Sequence, residues 1–250
     1  MFILNRTAKN VYCSFHSGRL CPEKLFTTTR RVCSASDEKL SKWLYWSSRY
    51  KLPSHRESSF DWFLSGKTLY PALQPHITRL SCTHTNLKVM DAGCGNSDVP
   101  SFLYTHCTEV PIELHLVDYV SEVLHIQRSW LKESLQGHPA TSVQYVQCDL
   151  TRLPYRPGTF HLVLDKGTTD ALLKDPVEGV QRSHKLVSSM VDLLQTGGVF
   201  AQVTDEDPDS RLGLLEEAVK GTGTMFTFSE LTTGRPQYFM FQYIKQSLVQ

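Results

Sequence analysis

The sequence predicts an α/β fold: a seven-stranded, mostly parallel sheet that ends in an antiparallel hairpin, with helices on both faces. Three observations carry this expectation. From residue 87 onward, short apolar runs alternate with amphipathic stretches in five successive βα-type units. The first four runs each end in an acid, at Asp91, Asp118, Asp149 and Asp165, and a glycine turn follows the first. Two β-rich runs, 224–231 and 237–245, are joined by the turn-forming residues 232–236, as a hairpin requires.

The elements follow in order. Residues 37–60 read as a polar lead-in with one aromatic helical patch, Trp43-Leu44-Tyr45-Trp46, broken by Pro53 and the polar run after it. That patch is either packing or a cover over an active site. Residues 60–80 look helical, with interruptions near Pro71 and Pro75. The strand 87–90 leads through the glycine turn to a helix over 101–106. A second strand, 112–117, precedes a helical stretch to about residue 135; the third and fourth cover 143–147 and 160–164. Helical periodicity over 178–194 stops at Gly197-Gly198. The fifth strand, 199–204, ends at Asp205, and Asp207-Pro208 has the form of an N-cap with proline at the first helical position, opening a helix to Lys220. The expected organisation is a presequence over 1–36, a helical lead-in over 37–86 and a ligand-binding domain over 87–250.

Composition bounds the function. A chain of 250 residues suffices for one α/β domain and an extension. The net charge of +1 argues against nucleic-acid binding by broad electrostatics. Charge is uneven, however: residues 1–36 carry Arg6, Lys9, Arg19, Lys24, Arg30 and Arg31 against the single acid Glu23, and are rich in Ser and Thr. Such an Arg-rich, acid-poor start reads as a mitochondrial transit peptide, the alternative being a disordered basic tail. Nowhere do 18 apolar residues run together, so no transmembrane helix is expected. Seven cysteines form no C-x-x-C pair, which disfavours structural zinc. The four beyond the presequence suit free thiols in a reducing compartment, here the matrix. The histidines show no ligand spacing, and no metal is expected.

The glycine turn reads Asp91-Ala92-Gly93-Cys94-Gly95-Asn96-Ser97. Glycines at 93 and 95 let the backbone turn sharply and a ligand approach it. A dinucleotide site would want a third glycine at position 98 and a pyrophosphate on the helix N-terminus. Asp98 stands there instead, which suits a zwitterionic ligand without phosphates. Asn96 is compatible with a turn conformation.

Residues 91–97 resemble the first signature of the class I methyltransferases, Rossmann-like enzymes that use S-adenosylmethionine. The resemblance implies that Asp118 accepts both ribose hydroxyls and Asp149 the adenine amino group, with the neighbouring Tyr119 and Leu150 in the same site. Asp91, Gly93 and Gly95 join them in the cofactor set. Trp62 would close over the cofactor or simply fill the core. Two further runs are narrower. Asp165-Lys166-Gly167-Thr168-Thr169-Asp170-Ala171 resembles the D-K-G-T-x-D-A run of methyltransferases acting on protein lysines or N-termini, and Phe60-Asp61-Trp62-Phe63 their aromatic pre-motif. Residues 204–212, with the presequence, resemble the mitochondrial lysine methyltransferases that act on citrate synthase. The similarity spans about residues 60–245.

A substrate lysine would arrive as a cation, with an unperturbed pKa of about 10.4, and carboxylates near the methyl group would attract it. Asp165 and Asp207 are the catalytic candidates. Asp165 would touch substrate or the cofactor's methionine end, unless it is a turn-forming residue. Asp205, Glu206 and Asp207 would receive a basic substrate loop, unless they are a solvated face with an N-cap. The partner implied is citrate synthase, with no nucleic acid or membrane. Competing readings are a methyltransferase for RNA or a small molecule and a non-catalytic cofactor-binding assembly factor. The complete set Asp91, Gly93, Gly95, Asp118 and Asp149 speaks against the last.

Overall fold

A computed structural model of the chain describes residues 35–222, 224–232 and 236–246. The presequence expected over 1–36 lies, but for its last two residues, outside the described residues. Five strands come first: β1 (Leu87–Ala92), β2 (Ile112–Asp118), β3 (Ser142–Gln147), β4 (Phe160–Lys166) and β5 (Leu194–Thr204). With β6 (Thr227–Glu230) and β7 (Phe239–Ile244) they form one seven-stranded sheet in the order β3-β2-β1-β4-β5-β7-β6. All pairs among β1–β5 are parallel; β7 runs antiparallel to β5 and to β6. The sheet class expected from the sequence is the one observed.

Burial on both faces explains why the central strands are nearly continuous apolar runs. In β4, Leu162 and Leu164 pack on one face while Val163 packs on the other. Edge strand β3 has no buried residue. On the first face lie α4 (Gly66–Ser81), α5 (Val99–His106) and α6 (Ser121–Glu133); Leu69, Leu73 and Ile77 of α4 meet Val89 and Leu114 there. On the second lie α8 (Gly179–Leu193) and α9 (Pro208–Ala218), whose Leu186, Met190 and Leu215 meet Met90 and Phe200. Strand order reverses between β1 and β4, and such a reversal opens a crevice at the carboxyl ends of the strands.

Three elements differ from expectation. Helix α4 starts at Gly66, not near residue 60, and runs unbroken through Pro71 and Pro75. The two prolines are four residues apart on the exposed side of the helix, so the carbonyls they leave without a donor face water. Strand β5 begins at Leu194, five residues early, beside a register shift against β4. A short helix, α7 (Thr168–Leu172), was not anticipated: five residues carry no readable period. It forms because Gly167 takes a left-handed conformation and the Asp165 carboxylate accepts from the first helical amides, Thr168 N at 3.0 Å and Thr169 N at 3.3 Å.

The lead-in forms three short helices, α1 (Ala35–Glu38), α2 (Trp43–Tyr50) and α3 (Ser54–Glu57), and packs into the same compact unit as the sheet. Among the described residues, no helix is long and apolar enough to cross a membrane.

Candidate functional site

An open cleft lies over the carboxyl ends of β3, β2, β1 and β4. Its floor is the glycine turn, and residues of the lead-in form one wall. Gly93 and Gly95 have φ of +76° and +51°. A Cβ on Gly93 would fall 2.1 Å from Thr168 Oγ1, and one on Gly95 3.1 Å from the Tyr50 hydroxyl. Gly93 therefore requires glycine for backbone and for space, and Gly95 chiefly for its backbone. The turn is held from below: Gly93 N donates to Val117 O at 2.7 Å, and the buried Gln127 amide donates to Gly95 O and Ser97 O. Asn96 ties it sideways to the lead-in, donating to His55 O at 3.1 Å and to Ser58 O.

Asp118 is 4% exposed and lies in the cleft wall. Its Oδ2 accepts from Gly95 N at 3.1 Å and its Oδ1 from Val120 N at 2.9 Å. Burial pushes its carboxyl up to about 6, while those backbone donors pull the other way. Each oxygen keeps capacity for one more donor. At the far end of the cleft, Asp149 Oδ1 accepts from Thr151 N and Thr151 Oγ1, and no hydrogen bond among the described residues takes its Oδ2. Tyr119, Leu150 and Trp62 line the cleft as well.

Asp91, at the end of β1, is 3% exposed and, unlike the other residues expected to hold a cofactor beside the glycine turn, does not line the cleft. Burial pushes its carboxyl up to about 7, opposed chiefly by the nearby Lys166 ammonium. Lys166 donates to Asp61 Oδ1 at 3.1 Å and to Trp62 O at 3.0 Å. Asp61 in turn accepts from Ser97 Oγ at 2.5 Å, locking the segment before α4 onto the glycine turn.

The remaining candidates lie elsewhere. Asp165 is fully buried beneath the cleft, and its carboxylate is filled by Thr168 N, Thr169 N, Thr169 Oγ1 and Gln202 Nε2. Asp165 does not line the cleft, and these bonds are the ones the turn-forming alternative calls for. Asp205, Glu206 and Asp207 do not line the cleft. Asp207 is the N-cap of α9, with Oδ1 accepting from Ser210 N and Oδ2 from Ser210 Oγ. Tyr50 and Arg182, which the sequence did not single out, stand in the cleft wall, as do Trp46 of the aromatic patch and Lys166. Trp43, Trp46 and Tyr50 stand at i, i+3 and i+7 of α2, a helical stripe that was available as a signal.

A family model for a methyltransferase domain matches residues 83–227. The chain belongs to the S-adenosylmethionine-dependent methyltransferases. Among curated relatives, the citrate synthase-lysine N-methyltransferases CSKMT, mitochondrial, of Pongo abelii and Homo sapiens are each 32% identical over 171 residues, covering 65% of this chain and 69% of theirs. The fold of this methyltransferase matches an S-adenosylmethionine-dependent methyltransferase of Methanosarcina mazei at a TM-score of 0.53, with 13% identity over 73% of this chain and 99% of that one. It also matches the N-methyltransferase NodS of Bradyrhizobium japonicum in complex with S-adenosyl-L-homocysteine, at 0.50, with 12% identity over 70% and 87%.

The cleft of this methyltransferase fits that cofactor. The acid Asp98 stands where a pyrophosphate would need an open helix N-terminus, and its Oδ1 accepts from Gly66 N at 2.5 Å. Carboxylates of Asp118 and Asp149 with spare capacity suit hydroxyl and amino donors. Among the described residues no three His, Cys, Asp or Glu side chains are grouped to hold a metal.

Proposed function

We propose that this methyltransferase is a protein-lysine N-methyltransferase of the mitochondrial matrix whose substrate is citrate synthase. The observation that carries the reading is the run after β4. Its residues Lys166, Gly167, Thr168 and Ala171 line the cleft, and that run is the part of the sequence resembling protein-lysine methyltransferases. The relatives named for citrate synthase and the basic residues 1–36 support the substrate and the compartment.

In this reading the Asp118 oxygens take the two ribose hydroxyls and Asp149 Oδ2 the adenine amino group, with Tyr119 and Leu150 flanking the base. Gly93 and Gly95 leave the floor open to close approach. When bound, S-adenosylmethionine supplies an electrophilic methyl group on a sulfonium. The protein's contribution is to position and desolvate the amine, and well-oriented reactants account for roughly 7–11 kcal/mol of barrier reduction. Trp46, Tyr50 and Trp62 form an aromatic wall, with Trp46 stacked on Tyr50 at 5.8 Å and tilted against Trp62 at 5.8 Å. Burial against it lowers the pKa of a lysine ammonium from about 10.4 and so favours the neutral nucleophile. Asp165 is a positioning residue: by capping α7 it holds Thr168, whose hydroxyl donates to Ala92 O at 2.8 Å over the glycine turn. Asp205, Glu206 and Asp207 lie outside the cleft and offer a negative surface to basic residues around the target lysine.

The test is transfer of labelled methyl from S-adenosylmethionine to purified citrate synthase. Label on a lysine, lost in Asp118→Ala, is expected. Intact cofactor binding without label on citrate synthase would overturn the substrate assignment.

A further inference from the structure

Beneath the loop that follows β5 lies a buried polar network that methyl transfer itself does not use. Arg211, one turn into α9, is 2% exposed and pairs with Asp170 Oδ1 of α7. Thr204, the last residue of β5, joins them. Its hydroxyl donates to Asp170 Oδ1 at 2.7 Å and accepts from Arg211 Nη2 at 3.2 Å and from Glu206 N at 3.1 Å. One donor and two acceptor sites are all that a hydroxyl has. The network also reaches the cap of α7: Arg211 Nη1 donates to Gln202 Oε1 at 3.3 Å, and Gln202 Nε2 to Asp165 Oδ2 at 2.8 Å. One chain of buried bonds thus runs from α7, whose Thr168 and Ala171 line the cleft, to the backbone of Glu206.

Stability alone is a poor reason for this arrangement. A buried ion pair gives up hydration on both partners, and apolar residues of similar volume often serve a core as well. Here the pair is also incomplete, because Asp170 Oδ2 is buried with no hydrogen-bond partner among the described residues. What the pair supplies is direction. The carboxylate holds the Thr204 proton, so the hydroxyl's lone pairs turn to Glu206 N and Arg211, and the loop is tied at its middle residue. Arg211 ties the other side: its backbone N donates to Asp207 O at 3.0 Å while its side chain grips the end of β5. Asp205 and Asp207 are exposed on this loop, with Glu206 half-buried between them. The loop also starts close to the cleft. Val203 is the register partner of Lys166, a cleft residue, on neighbouring parallel strands about 4.8 Å apart. The inference rests on the reading that residues 205–207 face basic residues of the protein substrate. We propose that Asp170, Arg211 and Thr204 are positioning residues that fix the spacing between this acidic loop and the cleft, and so fix where a basic neighbour of the target lysine must sit.

The alternative is that the pair only fills the space between α7 and α9. Kinetics of citrate synthase methylation by three variants of the full chain separate the two. Thr204→Val removes the hydroxyl and leaves the ion pair. Asp170→Leu with Arg211→Met removes the pair and refills its volume, avoiding the stranded charge that either change alone would leave. Asp205→Asn with Glu206→Gln neutralises the loop and leaves the network. Each should raise KM for citrate synthase by roughly 3- to 10-fold, the worth of one or two exposed charge pairs, with kcat and S-adenosylhomocysteine affinity held. Adding Thr204→Val to the neutralised loop should raise KM no further, because the network acts through the loop's charge. A native KM in Thr204→Val beside a raised KM in the neutralised loop would overturn the proposal and leave the loop's part in substrate binding standing. Additive effects of the two, or a parallel fall in kcat and S-adenosylhomocysteine affinity, would mark general distortion and overturn it as well. A native KM in the neutralised loop would instead overturn the reading of residues 205–207, and the proposal with it. Should the paired apolar replacement fail to fold, Thr204→Val decides alone.

Discussion

Asp118 and Asp207 look alike in the sequence: each follows a strand and precedes a helix, and each accepts a backbone N–H in the structure. Their surroundings divide them. Asp118 is buried in the cleft wall, its two oxygens take N–H groups from two separate segments, and each oxygen keeps room for a ligand. Asp207 is exposed, and both its oxygens close on Ser210, three residues away. A carboxylate is poised for binding when its protein partners hold it without filling it. One whose bonds are local and complete is a helix cap.

The sharpest test of that contrast is Asp118→Ala. It removes charge-assisted hydrogen bonds to ligand and leaves Gly95 N without its acceptor. A loss of about 1.5–3 kcal/mol is expected, or roughly 10- to 150-fold in Kd for S-adenosylhomocysteine by calorimetry. Unchanged affinity would remove Asp118 from the site.

Gly93→Ala tests the floor beneath it. The new Cβ meets Thr168 Oγ1, and φ of +76° is strained for alanine. Chemical denaturation should show a loss of about 1–3 kcal/mol. Adding Thr168→Ala should recover the steric part and not the backbone part. Full recovery would mean that the left-handed backbone costs nothing here.

Protonation separates Asp118 and Asp91 from ordinary carboxylates. The folded-state values of about 6 for Asp118 and about 7 for Asp91 lie above the unfolded value of roughly 3.9. In the ligand-free protein, folding thus takes up protons between about pH 4 and pH 7, and these two groups make it less stable as pH rises through that window. Cofactor affinity should run the opposite way, because hydroxyl donors favour the ionised Asp118. Kd should worsen towards tenfold per unit as pH falls below about 6. A dependence that survives in Asp118→Asn would place the titration elsewhere.

Legibility followed locality. Central strands such as β4 were plain because burial on both faces demands an unbroken run like Leu162-Val163-Leu164, and the acids at strand ends needed only counting. Helix α4 was misjudged at Pro71 and Pro75 because the pattern does not reveal that both face water. Helix α7 was missed because its stability comes from Gly167 and Asp165, which precede it, and not from its own period. The site's ionic lock, Asp61 with Lys166, joins residues 105 positions apart. Nothing local announces such a pair; it exists only once α4 and β4 are brought to one end of the sheet. Asp165 shows the converse, since its place at a strand end marked the site while its partners, Thr169 and Gln202, decided that it would sit below the cleft.

Asp207 supplies the smallest expected effects and the cleanest contrast. As a cap it should tolerate asparagine, which serves N-caps about as well as aspartate, so Asp207→Asn should change stability by only a few tenths of a kcal/mol. Asp207→Ala should cost about 1 kcal/mol through loss of the bond from Ser210 N. Neither change should alter S-adenosylhomocysteine affinity, because Asp207 does not line the cleft. Methylation of citrate synthase is the discriminating readout. If Asp207 acts only on α9, Asp207→Asn keeps the native rate. If its charge also receives a basic substrate segment, the rate at low substrate falls while kcat holds, and the defect shrinks with added salt as screening shortens the reach of the charge.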